Sequence, residues 1–200
     1  TKVNGEIVET SDEAMVFDDI YRQLPLDKPA DGKNIKGYTY SYTPNDCSVG
    51  DVDGDGEYEI ILKWDPSNSQ DNGHADSGSD EWTGNVLLDC YKLDGTKLWR
   101  IDLGNNIRAG AHYTQFLVYD FDGDGKAELI CKTAPGSIDG QGEYVNQAAT
   151  DAAIKAHNNT AQYYNTSGHV LSGAEYLTVF NGETGKAVHT IWYNPNRAGT

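Results

Sequence analysis

The sequence predicts an all-β chain, and three observations predict it. First, the composition favours strands and turns, with 22 Gly, 13 Tyr and a single Met in 200 residues. Second, the apolar residues fall in short runs, bounded by turn residues, as strands require. Third, an acidic string of one spacing opens two of those runs. Asp51-Val52-Asp53-Gly54-Asp55-Gly56-Glu57-Tyr58-Glu59 recurs as Asp120-Phe121-Asp122-Gly123-Asp124-Gly125-Lys126-Ala127-Glu128. Carboxylates packed at alternate positions need a counter-charge, and a hard divalent cation supplies one. Calcium takes oxygens from Asp at positions 1, 3 and 5, a backbone carbonyl at 7 and a later Glu. An EF-hand would carry Glu at position 12 and then a helix. Here position 12 is Leu62 or Cys131, the closing Glu stands at position 9, and apolar strand-like runs follow. The strings therefore read as calcium-binding loops that open strands. The expected side-chain ligands are Asp51, Asp53, Asp55 and Glu59, then Asp120, Asp122, Asp124 and Glu128. Glu57 and Lys126 are the expected carbonyl donors at position 7.

Taken in order, residues 1–8 read as a hairpin around Asn4-Gly5, a pair that favours the tight turn between two strands. Ala14 to Tyr21 reads as a strand. Leu24-Pro25-Leu26-Asp27-Lys28-Pro29 reads as an extended linker. From Tyr38 the chain repeats a unit: aromatic strand, acidic loop, apolar strand, long polar loop, apolar strand, tight Gly turn, aromatic strand. The first copy has strands at Ile60–Trp64, Asn85–Tyr91 and Leu98–Ile101, with a turn at Leu93-Asp94-Gly95-Thr96. The second has Phe116–Tyr119, Leu129–Lys132, Tyr176–Phe180 and Val188–Trp192, with a turn at Gly182-Glu183-Thr184-Gly185. Four strands per unit with recurring turn signatures is the mark of a β-propeller, here a partial one. The insertions at 65–84 and 134–172 are the expected place for ligand contacts, or else solvated surface. Asn146 to Ala156 reads as a short helix.

The formal net charge is −16, with 31 acidic residues. That argues against nucleic acid or an anionic membrane as partner. Hydrophobic residues make up 38%, enough for a packed core. Cys47, Cys90 and Cys131 match no zinc spacing. The latter two sit in apolar runs as small hydrophobes, and one disulfide with a free thiol stays open. No signal peptide or membrane span is seen. The chain starts without Met, as expected for a processed or truncated N-terminus. Calcium loops suit an extracellular, secreted protein.

Several runs carry a resemblance. Asn45-Asp46-Cys47-Ser48-Val49-Gly50 leading into the first acidic loop, Lys63-Trp64-Asp65-Pro66-Ser67-Asn68, Tyr91 to Gly104, and Asn106-Ile107-Arg108-Ala109-Gly110-Ala111-His112-Tyr113-Thr114-Gln115-Phe116 closely resemble the rhamnogalacturonan lyases of polysaccharide lyase family eleven. So does Leu171-Ser172-Gly173 with Glu175 to Phe180. The match covers roughly residues 24–192. It implies an eight-bladed propeller with bound calcium, preceded by a small β-sandwich. Residues 1–22 are then the tail of that sandwich, and 23–200 the first two to three blades. The implied activity is β-elimination in rhamnogalacturonan I: the C5 proton of galacturonate leaves, and the sugar on O4 is expelled. Such chemistry needs the galacturonate carboxylate neutralised and a base near C5.

Arg108 and His112, four apart in a Gly/Ala-rich segment, are the catalytic candidates. A local carboxylate that merely satisfies His112 is the competing reading. Lys63 and Lys132 recur at equivalent places, which favours a structural role for both. Asn45 and Asp65, each expected at a strand-to-loop junction, are the candidates for sugar hydroxyls, and Asp46 for a further ion. Trp64, Trp82 and Tyr113 are stacking candidates, with core packing favoured for Trp64 and Tyr113. The competing function is a non-catalytic, calcium-stabilised β-repeat module for binding or adhesion. The expected partners are rhamnogalacturonan I and the remainder of the chain's own propeller, and the isolated 200 residues are expected to be inactive.

Overall fold

The computed structural model describes residues 1–8, 10, 19–70, 82–110, 112–195 and 197. Among these residues, twelve strands form four antiparallel sheets. Two of these are small hairpins: β1 (Lys2–Val3) with β2 (Glu6–Ile7), and β3 (Gly32–Lys33) with β4 (Thr39–Tyr40). The first hairpin turns on Asn4 and Gly5 at φ 51 and 86, the left-handed pair its sequence demands. Of the strand expected at 14–21, residues 14–18 lie outside the described residues, and 19–21 are exposed and not in a strand.

The body of the chain is two four-stranded meanders. The first runs in the order β5 (Tyr42–Gly50), β6 (Glu59–Pro66), β7 (Leu87–Tyr91), β8 (Lys97–Asp102). The second is β9 (Phe116–Tyr119), β10 (Glu128–Thr133), β11 (Tyr176–Phe180), β12 (Ala187–Trp192). Every strand expected in the two repeats is present. Each acidic loop joins the first strand of its sheet to the second.

The alternation of side chains sorts the core. In β6, Ile61 faces one way and Leu62 and Trp64 lie on separate ground with Tyr42, Leu87 and Tyr91. Ile61, Leu88 and Cys90 join Leu129, Cys131, Tyr176 and Phe180 in a single cluster, so the two sheets pack face to face. The other face of the first sheet is covered by Leu24 and Tyr40, which makes the linker a lid. Asp89, fully buried there, accepts from Trp64 Nε1 (2.8 Å), Tyr91 Oη (2.7 Å) and the Arg100 guanidinium (2.7 and 2.6 Å).

The sheets are also stitched by their loops. Trp99 Nε1 donates to the Gly182 carbonyl at 2.7 Å, and the Ala127 N–H to the Asp51 carbonyl at 2.7 Å. Gly182 is required by this closeness: a Cβ there would lie 1.9 Å from the Ala127 oxygen. Among the described residues, none covers the apolar side chains on the far face of the second sheet. Leu117, Tyr119 and Ile191 on it are 61%, 68% and 57% exposed, and Ile130 pairs across from Leu117.

The helix expected at Asn146–Ala156 is a correction. A 3-10 turn at Val145–Ala148 stops at extended Ala149, and one α-helical turn, α1 (Ala152–Lys155), starts afresh. Asp151 is its cap, accepting from Ala153 N at 2.8 Å, and a cap side chain starts a helix rather than continuing one. Buried Asn146 instead donates to the carbonyls of Ile154, Lys155 and His157. Nor is this insertion merely solvated: Val145, Asn146 and Ile154 are buried, and Thr190 Oγ1 donates to the Val145 carbonyl. All three cysteines are free, Cys47 exposed and Cys90 and Cys131 buried, so the disulfide left open is not formed.

Candidate functional site

The two acidic loops have nearly the same internal bonding. Asp51 accepts from the N–H groups of Gly54 (2.7 Å) and Gly56 (2.9 Å); Asp120 accepts from Gly123 (2.7 Å) and Gly125 (2.9 Å). Asp55 accepts from Glu57 N and Asp124 from Lys126 N, both at 2.8 Å. Glu59 reaches back to Val52 N and Glu128 to Phe121 N, both at 2.9 Å. These bonds curl the loop and gather its carboxylates. Oxygens of Asp51, Asp53 and Glu59 lie within 4.8 Å of one another, as do those of Asp120, Asp122 and Glu128. Burial, the largest cause, holds the Glu59 and Glu128 carboxyls above the ordinary range, and the neighbouring Asp charges push the same way. An all-oxygen, multiply acidic donor set at this separation fits a hard cation such as calcium.

The loops differ in one respect. Lys92 Nζ lies 2.5 Å from Asp53, 3.4 Å from Asp55 and 3.9 Å from Glu59. Its ammonium holds the Asp53 carboxyl below the usual range, chiefly by hydrogen bonding. In the second loop Lys126 turns away to Glu183 at 2.9 Å. Lys92 was not singled out from sequence. The signal was the pairing of Ile60 with Tyr91, which sets the next residue, Lys92, beside Glu59.

The sugar-binding candidates are on neighbouring strands, β5 and β6. Asp65, near the end of β6, is 8% exposed and accepts from Ser69 Oγ at 2.6 Å. Asn45 is not at a strand-to-loop junction as expected. It lies inside β5, exposed, where the register shifts between Pro44 and Cys47. A bulge on an edge strand re-aims a side chain as a loop border would. Asp46 in the same bulge pairs with Lys63 Nζ at 3.0 Å, and this buried ammonium also donates to the Tyr113 carbonyl at 3.0 Å. Lys63 is thus a structural tie. Lys132 pairs instead with Glu175 at 3.0 Å.

Arg108 and His112 part company. Arg108 is 7% exposed, donates from Nε to the Gln70 carbonyl at 3.0 Å, and walls two cavities. His112 is exposed on a turn and lines neither. One cavity, of about 280 Å³, is lined by Tyr40, Trp82, Asn85, Gln162 and Tyr164 with Arg108. Lys36 Nζ sits 4.2 Å over the Trp82 ring, and the Trp82 backbone is held by Asn34 and Asn68 amides. Aromatic faces with amides between them suit a sugar. Trp64, 1% exposed, belongs to the core as favoured. Much of the 65–84 insertion, residues 71–81, lies outside the described residues.

The chain thus combines two four-stranded meanders, two acidic loops of one geometry and an aromatic–amide cavity. The profile of the rhamnogalacturonan lyase family 11 C-terminal domain matches residues 21–200, and the chain belongs to this family. It is similar to the rhamnogalacturonan endolyase YesW of Bacillus subtilis (strain 168), at 57% identity over 98% of this chain and 29% of that protein. It is also similar to the rhamnogalacturonan exolyase YesX of the same organism, at 54% identity over 96% of this chain and 29% of the other. The solved structure of the Bacillus licheniformis rhamnogalacturonan lyase PL11 superposes with a TM-score of 0.85 at 54% identity, over 98% of this chain and 31% of that one. The chain thus spans under a third of the length of the relatives it matches.

Proposed function

We propose that this chain is the opening part of the propeller of a secreted, calcium-dependent rhamnogalacturonan lyase. Residues 1–22 then belong to a preceding β-sandwich, and 23–200 supply the first blades of eight. The observation that carries this reading is the 57% identity to a protein named as a rhamnogalacturonan endolyase, held across 98% of the chain. The two meanders, packed face to face and each opening on an acidic loop, support the propeller. The uncovered apolar face of Leu117, Tyr119 and Ile191 supports a further blade on the second sheet. Identity does not choose between endo and exo cleavage, since relatives of both names match at 57% and 54%.

In this reading the enzyme cleaves the rhamnose–galacturonate bond by β-elimination. Removing the C5 proton of galacturonate places negative charge on its carboxylate, and a fixed guanidinium lowers that barrier. Arg108 is the group here to do so. His112, exposed beside a Gly/Ala-rich turn, is the candidate to take the proton. Asn45 and Asp65 accept and donate to sugar hydroxyls and set the chain's register. Calcium in the two loops supplies charge neutralisation that holds their carboxylates together.

The test is the natural-length protein incubated with rhamnogalacturonan I, followed by the ultraviolet absorbance of the unsaturated product. Wild type should generate it. Asn45→Ala and Asp65→Ala should slow it at least tenfold, with the melting temperature changed little for exposed Asn45 and lowered for buried Asp65, which loses its Ser69 bond. Wild-type rates in both variants would remove these residues from the site, and no product from wild type would sink the lyase reading.

A further inference from the structure

The two acidic loops share one spacing and one bonding pattern, yet they meet different neighbours. The strand register shows where the difference enters. Ile60 of β6 pairs with Tyr91 of β7, and Leu129 of β10 pairs with Phe180 of β11. The next residue along each returning strand, Lys92 or Asn181, therefore stands at the same place beside its loop. There the first repeat carries a cation and the second a neutral amide. Asn181 is taken up by its own turn, where Oδ1 accepts from Thr184 N at 3.0 Å and from Thr184 Oγ1 at 2.6 Å. Lys126, inside the second loop, is turned to Glu183.

Lys92 does the opposite. Its ammonium reaches the expected ligands of the first loop, lying 2.5 Å from Asp53, 3.4 Å from Asp55 and 3.9 Å from Glu59. The Glu59 side chain is 2% exposed, so the cluster is not a loose surface pair. Lysine carries three donors on a flexible stem, so it can gather several carboxylates and can also swing away. Calcium bonds carboxylate oxygens at about 2.3–2.6 Å. An ammonium 2.5 Å from Asp53 and a calcium ion on the same carboxylate are two cations in one place, and they exclude each other.

We propose that Lys92 is a tethered counter-ion of the first loop that calcium must displace, so that the second loop fills at a lower calcium concentration than the first. As calcium falls, the first loop exchanges its ion for the lysine and keeps its shape. The second loop gives up its ion later and has no such substitute among the described residues. Two loops of one motif thus differ in what holds them, and a single side chain from the next strand makes the difference. The exchange rests on the calcium reading given above; the hold of Lys92 on the carboxylates does not.

Calorimetric titration of the natural-length protein with calcium chloride tests this, on wild type, Lys92→Met and Lys92→Arg, with thermal melts of each in calcium and in chelator. Lys92→Met keeps the stem and removes the charge. One calcium site should tighten by about tenfold, the lower end for a charge-assisted hydrogen bond, because the lysine side chain is 32% exposed and reaches water. Lys92→Arg keeps the charge, and its site should stay closer to wild type than to Lys92→Met. In chelator Lys92→Met should melt below wild type, and in saturating calcium at or above it. Adding Asp51→Ala, which removes a ligand of the first loop, should abolish the gain in affinity, whereas adding Asp120→Ala in the second should leave it. Calcium affinity unmoved by Lys92→Met, a chelator melt unmoved by it, or a gain that survives Asp51→Ala would each overturn the proposal while the calcium reading stands. No calcium binding lost on Asp51→Ala and on Asp120→Ala would refute the calcium reading, and the exchange with it.

Discussion

Replacing Glu59 and Glu128 by Gln, singly and together, isolates charge from shape in the acidic loops. Each carboxylate accepts one backbone N–H at 2.9 Å, which an amide oxygen also accepts. Glu59 is 2% and Glu128 9% exposed, so each must be ionised in a largely dry place to ligate an ion. A loop filled at a calcium concentration one hundred times its dissociation constant adds about 2.7 kcal/mol to stability. In a chain of 200 residues, 1 kcal/mol moves the melting temperature by about 2–4 °C. Each filled loop should therefore raise the melt by about 5–11 °C. Thermal melts by circular dichroism in calcium and in chelator are the assay. In calcium, both variants should melt below wild type. In chelator the order should reverse, because Gln need not hold a charge that burial disfavours. The reversal should be larger for Glu128→Gln, since Lys92 already offsets the first loop and no lysine pairs with the second among the described residues. Identical wild-type melts in calcium and chelator would refute ion binding. Variants that lose equally in both would make the glutamates structural acceptors only.

Asp89→Ala should cost about 3–5 kcal/mol, because it strands the Arg100 guanidinium and the Trp64 indole N–H. Arg100 is 26% exposed and can turn partly to water, which favours the lower end; a loss below about 1 kcal/mol in urea unfolding would show the network to be dispensable. Asp102 supplies a pH test. Burial, the largest cause, raises its carboxyl above the ordinary 3.8, against the pull of Gly104 N and Asn85. The folded state then holds the proton more tightly than the unfolded one. Its contribution is full below 3.8 and is lost as pH rises through the raised folded value. Asp102→Asn should flatten stability over that interval, and an unchanged slope in a series of melts would assign it elsewhere.

The strands were legible because their turns were. Asp94-Gly95 and Gly182 to Gly185 bracket apolar runs too short for helices, and the meander order follows from hairpins alone. The acidic loops were legible because one spacing occurs twice. The 146–156 helix misled because Ala-rich propensity is weak beside a capping Asp151 and an Asn146 drawn into the core. Asn45 was misplaced because a bulge has no signature in the residues around it. The part played by Lys92 was invisible for a plainer reason. Lys92 and Asp53 come from separate stretches, and the strand register that joins them leaves no local pattern.

The Ala127–Asp51 hydrogen bond makes the two loops parts of one mechanical joint. Asp51 opens the first loop, and Ala127 lies between Lys126 and Glu128 of the second. The buried Val52 side chain and the Gly182 turn press on the same spot. An event in either loop therefore strains a peptide that the other loop uses. Ions entering the pair should fill it cooperatively, and their loss should loosen the seam between the sheets before it unravels either sheet. The acidic strings would then act less as two separate ornaments than as a single rivet across neighbouring repeats.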